Sequence, residues 1–363
     1  MKRLWLSLLL MALTLIACKE QQTQSQRVTP FSQLAASVPD AAPVVPGNPV
    51  VLPADHASHP AFRLEWWYLT ATLSDISDRP YGLQFTLFRF TQPDATDNAW
   101  SDRQRWLAHV SLHTPDTHYF EEKVARGGVG NAGVYTSPFR AFIDHWQWQA
   151  SPGTQDYKMF PSTLSVSATD KVSVSLQMRS TGPAVLHGDN GFSQKSADGR
   201  FRSYYYSVPF IDIRGSVEID NKTLTVQGDG WFDHEWTSQL ARGDALGWDW
   251  LSLSLDNGQK LMAFNMYVEG EPPFTTGTLI NADGSSRTLS ADEISLTPSG
   301  YEQINGKRLP VTWSVSIASA GIDIRISPFK KKQFNPGVAQ YYEGRVEVTG
   351  SHRGRGFLEL TGY

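Results

Sequence analysis

Short runs in which apolar and polar residues alternate recur through this chain: STLSVSA, KVSVSLQM, GSVEI, TLTVQG, WSVSIA, IDIRIS and RVEVTG, each bounded by Gly, Pro, Asn or Asp. A period of two puts one set of side chains on one face of an extended strand. The breakers between the runs keep each strand short and turn the chain back. Long helical periodicity is scarce, so the pattern predicts an all-β fold of antiparallel barrels or sandwiches.

One internal comparison sharpens this. WWYLTATL at 66–73 lies over WDWLSLSL at 248–255 at a constant offset of 182, with Trp66 on Trp248, Tyr68 on Trp250 and Leu69 on Leu251. Each copy runs into a turn and a second alternating strand, YGLQFTLFRF in the first and KLMAFNMYV in the second. Two related barrels would produce this, and a chance match of two amphipathic strands is the alternative. A folded length of about 340 residues exceeds one comfortable core. The expected division is an N-terminal barrel over 54–236 and a C-terminal barrel over 237–363.

The N-terminus reads as an address. Lys2 and Arg3 precede an apolar run from Leu4 to Ala17, too short for a stable span, which ends in LIAC; Cys18 is the only cysteine of the chain. The pattern predicts a lipoprotein signal peptide over 1–17 and lipidation of Cys18, followed by a flexible Gln-, Pro- and Ala-rich tether over 18–53. Lys19 stands where an Asp would retain the protein at the inner membrane. An anchor in the outer membrane of a Gram-negative cell, facing the periplasm, is therefore expected. With Cys18 acylated, no thiol remains for disulfides, metal binding or nucleophilic catalysis. Without Lys2 and Arg3, 30 basic residues face 36 acidic ones, a net charge of −6 that argues against a nucleic-acid partner.

The segment GDGWFDHEWTSQLARGDALGWDW, 228–250, holds four of the twelve tryptophans and five carboxylates. Aromatic bulk and buried acid together suit an amphipathic pocket. Asn257-Gly258 is a preferred two-residue hairpin turn; a hairpin closed there pairs Asp249 with Met266, Leu251 with Phe264 and Leu253 with Met262. Trp248, Trp250, Asn265 and Tyr267 then fall on the other face. Asp249 ends an apolar lane, where it is either a proton donor of raised pKa or the partner of a buried cation. In the first hairpin, a loop over 74–80 pairs Glu65 with Arg89, Trp67 with Leu87 and Leu69 with Phe85. Glu65 and Arg89 are then a buried salt bridge or a clamp for a ligand carboxylate.

His109 and His113 on one strand would be about 13 Å apart, too far for one metal ion. No metal site and no cofactor are expected, and no G-x-S-x-G, H-E-x-x-H, Walker or dinucleotide motif is present.

The ordered motifs LEWWYLTATL, HGDNGFSQK, SYYYS, WFDHEWTSQ, GWDWLSLSLDNG and YYEGRVEVTG…GRGFLELTGY resemble the AttH/CrtC family over nearly the whole chain after residue 54. The resemblance implies two consecutive lipocalin-like antiparallel β-barrels. It also implies one of several roles: cofactor-free hydration of a carotenoid-like alkene, hydrolysis, or an accessory part beside an ABC transporter. His234 and Trp236 match positions that the hydratases use, whereas the Tyr and Asp pair of those enzymes is incomplete here, with Tyr267 but no Asp beside it. Together these readings give Asp249, His234 and Glu235 as candidate acid–base groups. Trp231, Trp236, Trp248, Trp250, Tyr267, Glu65, Trp66 and Arg89 are the candidate lining of a site for a hydrophobic small molecule or lipid. The alternative for Asp233, His234 and Glu235 is a hydrogen-bonded pin between the barrels.

Overall fold

The computed structural model describes residues 40–93, 98, 100–128, 130–240 and 244–363. The expected signal peptide, Cys18 and the first part of the tether lie outside them. Two antiparallel sheets account for the strands of the described residues: thirteen between Leu64 and Thr237, and ten between Ala245 and Leu360.

Each sheet is arranged in the same way about its first strand, and no ladder joins the two ends of either strand path among the described residues. The strand Leu64–Asp75 is hydrogen-bonded on one side to the next strand, Pro80–Thr91, and on the other to the last strand of its sheet, Lys222–Thr237. Ala245–Leu255 sits likewise between Lys260–Val268 and Gly354–Leu360. The two copies of the sequence repeat therefore occupy the same place in two barrels. Even the close approaches repeat. A Cβ on Gly228 would meet the Thr72 carbonyl oxygen at 2.1 Å, and one on Gly354 would meet that of Ser254 at 2.2 Å. Thr72 and Ser254 are themselves 182 apart, so only glycine fits both crossings.

Alternation sorts the side chains into four apolar regions, the smallest being Leu64, Phe88, Phe90, Leu107, Ala339 and Tyr341. Trp67, Leu69, Phe85, Trp148 and Phe232 fill the first barrel, and Leu251, Leu253, Trp313, Ile324 and Leu358 the second. The outward residues Tyr68, Tyr205, Trp231, Trp250, Phe264 and Phe357 form the third, between the barrels. At about 1.5–3 kcal/mol for each fully buried large side chain, this third region binds the barrels firmly to each other.

Two expectations are corrected here. The tether ends before Pro53: Val44 and Val50 are buried, the Ala42 amide donates to the Ala61 carbonyl at 2.8 Å and the Val50 amide to that of Asn190 at 2.9 Å. Its valines supply an apolar edge that a free linker would leave in water. The second hairpin is also one residue out of the expected register, with Asp249 opposite Asn265 and Leu251 opposite Ala263. Of Asn257 and Gly258, only Gly258 takes a positive φ, +83°, and the Leu255 amide reaches the Gln259 carbonyl at 2.9 Å. The loop is three residues long with glycine at its left-handed position, not a two-residue turn. The first hairpin has the expected register, Glu65 facing Arg89 and Trp67 facing Leu87.

Candidate functional site

The strand Lys222–Thr237 carries the core of the 228–250 segment, and successive residues on it point to opposite faces. Phe232, His234 and Trp236 face the interior of the first barrel, while Trp231, Asp233 and Glu235 face the second barrel. The single pocket expected around Asp249, His234 and Glu235 is therefore divided among three places.

Inside the first barrel, Glu65 is fully buried and serves as a hub. Arg89 Nε donates to its Oε2 at 2.7 Å; His59 Nδ1 and His234 Nε2 lie 2.7 and 2.9 Å from its Oε1. Arg89 is spent further on the carbonyl oxygens of His59 and Phe62, which leaves it no free edge for a ligand carboxylate. Burial would raise the Glu65 pKa, but Arg89 and His59 hold it well below the usual carboxylate range. Burial would lower His59, yet Glu65 and Asp55 raise it to about 9. His234, lowered by burial against the pull of Glu65, stacks on Trp67 and lies tilted to Trp236, and His59 lies flat on Trp236 at 3.9 Å. The ligand atoms of His59, Glu65 and His234 come within 4.8 Å of one another, a spacing that could hold a metal ion. In the arrangement present, both rings share one carboxylate oxygen whose charge Arg89 already balances, and a divalent cation beside that guanidinium would be opposed electrostatically.

Inside the second barrel, Asp249 closes the apolar lane of Leu251 and Leu253 but faces no open space. Tyr267 donates to its Oδ2, Tyr363 to its Oδ1 at 2.6 Å, and Asn265 lies 3.5 Å away. Burial raises its pKa to about 6 against those hydrogen bonds. Asn265 and Tyr267 thus share the face of Asp249 instead of the tryptophan face, as the one-residue shift of register requires. This group is a closed polar cap.

The third place is a cleft between the barrels. Its empty space is about 570 Å³ including the mouth, of which about 40 Å³ can seat the centre of a water molecule. Trp66 and Tyr68 from the first barrel meet Trp248 and Trp250 from the second, each the repeat partner of the other at the offset of 182. Phe88, Tyr205 and Phe264 complete the aromatic walls. Trp66 and Trp248 are half-buried at the mouth; Trp250 is buried, edge-on to Tyr68 at 5.2 Å.

Three acids line this cleft: Asp233, Glu235 and Glu359. Asp233 Oδ1 accepts from Ser207 and, at 2.9 Å, from Tyr205, whose hydroxyl also receives Trp250 Nε1 at 3.1 Å. Glu359 accepts from Trp248 Nε1 at 2.8 Å, and Glu235 pairs with Lys195 at 3.2 Å. Burial raises Asp233 to about 7 against the hydrogen bonds of Ser207, Trp231 and Tyr205, and the charge of Glu235 adds to the rise. Burial likewise raises Glu359 to about 7; the Trp248 bond opposes it, and Asp233 and Glu235 reinforce it. Behind Tyr68, whose hydroxyl donates to Glu343 Oε1 at 2.5 Å, burial pushes Glu343 well above its usual range as well.

Of the residues expected from sequence, Trp66, Glu235, Trp248 and Trp250 line the cleft, and Trp231 belongs to the apolar region around it. Glu65, Arg89, His234 and Trp236 lie in the first barrel, Asp249 and Tyr267 in the second. Sequence reasoning missed Glu359, Glu343, Lys195 and His59 and left Asp233 without a site role. A signal for Glu359 was present: GWFD at 230–233 lies over GFLE at 356–359, so Asp233 and Glu359 are equivalent positions on the two closing strands. Asp233 stands opposite Tyr68 and Glu359 opposite Trp250, themselves a repeat pair.

A nearly closed antiparallel barrel and a half-barrel sheet packed across an aromatic cleft define a lipocalin-like, two-barrel protein. The AttH-like family model matches residues 43–363, and the chain belongs to that family. Among solved structures, a candidate AttH from Nitrosomonas europaea is 30% identical, with a TM-score of 0.77 over 89% of this chain and 99% of that one. Kievitone hydratase from Nectria haematococca shares the fold at 16% identity and a TM-score of 0.64, covering 90% of this chain and 98% of its own. CghA with Sch210972 does so at 14% and 0.54, over 91% and 96%. No curated protein matches the chain significantly in sequence.

Proposed function

We propose that this chain binds a hydrophobic small molecule in the cleft between its barrels, at the cell envelope, where an acylated Cys18 anchors it. The observation that carries the reading is the meeting of Trp66 and Tyr68 with Trp248 and Trp250 around buried carboxylates, an apolar concavity with a few convergent polar groups. The lipobox LIAC supports the anchor, and Lys19 after it supports the outer membrane. A part beside an ABC transporter is proposed on family resemblance alone. Mass spectrometry of lipids and small molecules retained by the purified protein tests the binding reading. A hydrophobic species should co-purify with the wild type and be lost when Trp248 and Trp250 are both replaced by Ala. Equal retention by that variant would remove the cleft from consideration.

A second reading, cofactor-free hydration or isomerisation of an alkene-bearing substrate, is favoured by one observation: Asp233 and Glu359 line the cleft against aromatic faces, where burial raises both to about 7. An acid that is half protonated at neutral pH can give its proton to a double bond, and indole faces stabilise the resulting cation. Turnover in Asp233→Asn should then fall by roughly 10² or more while binding persists. Unchanged turnover would leave binding alone.

A further inference from the structure

The cleft is more acidic than a neutral hydrocarbon needs. Asp233, Glu235 and Glu359 line it, Glu343 stands behind Tyr68, and no lysine or arginine lines it among the described residues. Lys195 is committed to Glu235 and to the faces of Tyr205 and Phe264, 4.6 and 4.4 Å from its Nζ. A buried carboxylate is costly without a positive or hydrogen-bonding partner, and an apolar ligand supplies neither.

Two further observations indicate what is missing. Ser207 and Tyr205 both bond Asp233 Oδ1, so neither takes up Oδ2, in a residue only 2% exposed that opens directly onto the cleft. The surrounding walls are indole and phenyl faces, whose quadrupoles attract a cation and repel an anion. On the binding reading above, we infer that the ligand is a hydrophobic cation, an ammonium or similar monocation on an apolar body. Its charge sits between Asp233 and Glu359, and its body lies against Trp66, Trp248 and Trp250.

The test compares three probes of one size by titration calorimetry on the full mature chain: phenyltrimethylammonium, its neutral isostere tert-butylbenzene, and benzoate. The cation should bind at least tenfold more tightly than tert-butylbenzene, and benzoate should be weakest. In Asp233→Asn/Glu359→Gln the cation should lose that advantage while tert-butylbenzene keeps its affinity. If the neutral probe binds the wild type as tightly as the cation, the inference is overturned and the hydrophobic cleft stands. If the preference for cation survives in the double variant, the charge is held elsewhere and the inference also fails. If no probe binds at all, the cleft reading falls with it. The wild-type comparison decides the matter even if the double variant folds poorly.

Discussion

Asp233→Asn isolates the consequence of burying an acid between two barrels. The native Asp233 keeps its proton up to about pH 7, whereas the unfolded chain releases it near 3.8. Between those values the native state binds more protons than the unfolded state, so stability falls as pH rises through this window and stays low above it. Roughly two pKa units of that window lie above pH 5; at ~1.4 kcal/mol per unit they set an upper limit of about 3 kcal/mol. Water entering the cleft and the neighbouring charges reduce this, and about 2 kcal/mol is the expected effect. The groups facing Asp233 are Tyr68 across the strand pair, Ser207 and Tyr205, Glu235 with Lys195, and Glu359 from the second barrel.

Asparagine has the same shape and keeps an acceptor for Ser207 and Tyr205. Its amide is left in the place of Oδ2 without a partner, at a cost of about 1–3 kcal/mol that is independent of pH. Urea unfolding at pH 5 and pH 8.5 cancels that constant. The variant should gain about 2 kcal/mol on the wild type between the two pH values. A difference that stays constant within about 0.5 kcal/mol, or moves the other way, would refute the claim that Asp233 is desolvated and unpaired.

Other substitutions probe the remaining groups. Arg89→Leu removes the only guanidinium that pairs Glu65 among the described residues and should cost about 3–5 kcal/mol in urea unfolding, because a fully buried carboxylate keeps only His59 as its counter-charge. Tyr363→Phe deletes a donor to Asp249 and should move that pKa upward from about 6, read by carbon NMR of the side-chain carboxyl. Cys18→Ser should abolish incorporation of labelled fatty acid and release the protein from the membrane fraction; continued sedimentation with membranes would count against the anchor.

The parts of this molecule that were legible in the sequence are those where a local rule and a long-range fact coincide. Alternation and breakers announced the strands, and the 182-residue offset announced two barrels, because equivalent strands need equivalent side chains on both faces. The Glu65–Arg89 pairing was legible because a buried cross-strand pair of opposite charge is compatible with few registers. The second hairpin was not, since Asn-Gly closes either a two-residue turn or a three-residue loop, and the difference of one residue turns Asn265 and Tyr267 to the other face. His59 was hidden because the residues just before it read as linker; only the fold returns them to the barrel mouth. The largest error was to place His234 and Glu235, with Asp249, around one pocket, when consecutive strand residues point to opposite faces.

That last point bears on how the cleft acquires its chemistry. Asp233 and Glu359 are outward positions of two equivalent closing strands, and on a separate barrel each would meet water and ionise in the ordinary range. Packing the barrels face to face buries both, along with Glu235 and Glu343. The raised pKa values of Asp233 and Glu359 are therefore created by the interface and belong to neither barrel alone. The cross-links that resist separation are largely neutral or cationic: Trp250 to Tyr205 at 3.1 Å, His187 to Thr278 at 2.8 Å, and Arg345 to the carbonyl oxygens of Leu73 and Tyr81, both at 2.9 Å. None of these bonds needs Asp233 or Glu359 to ionise. A rise in pH through 7 thus loads negative charge into the cleft while leaving the clasps in place, and a bound cation relieves exactly the repulsion that results.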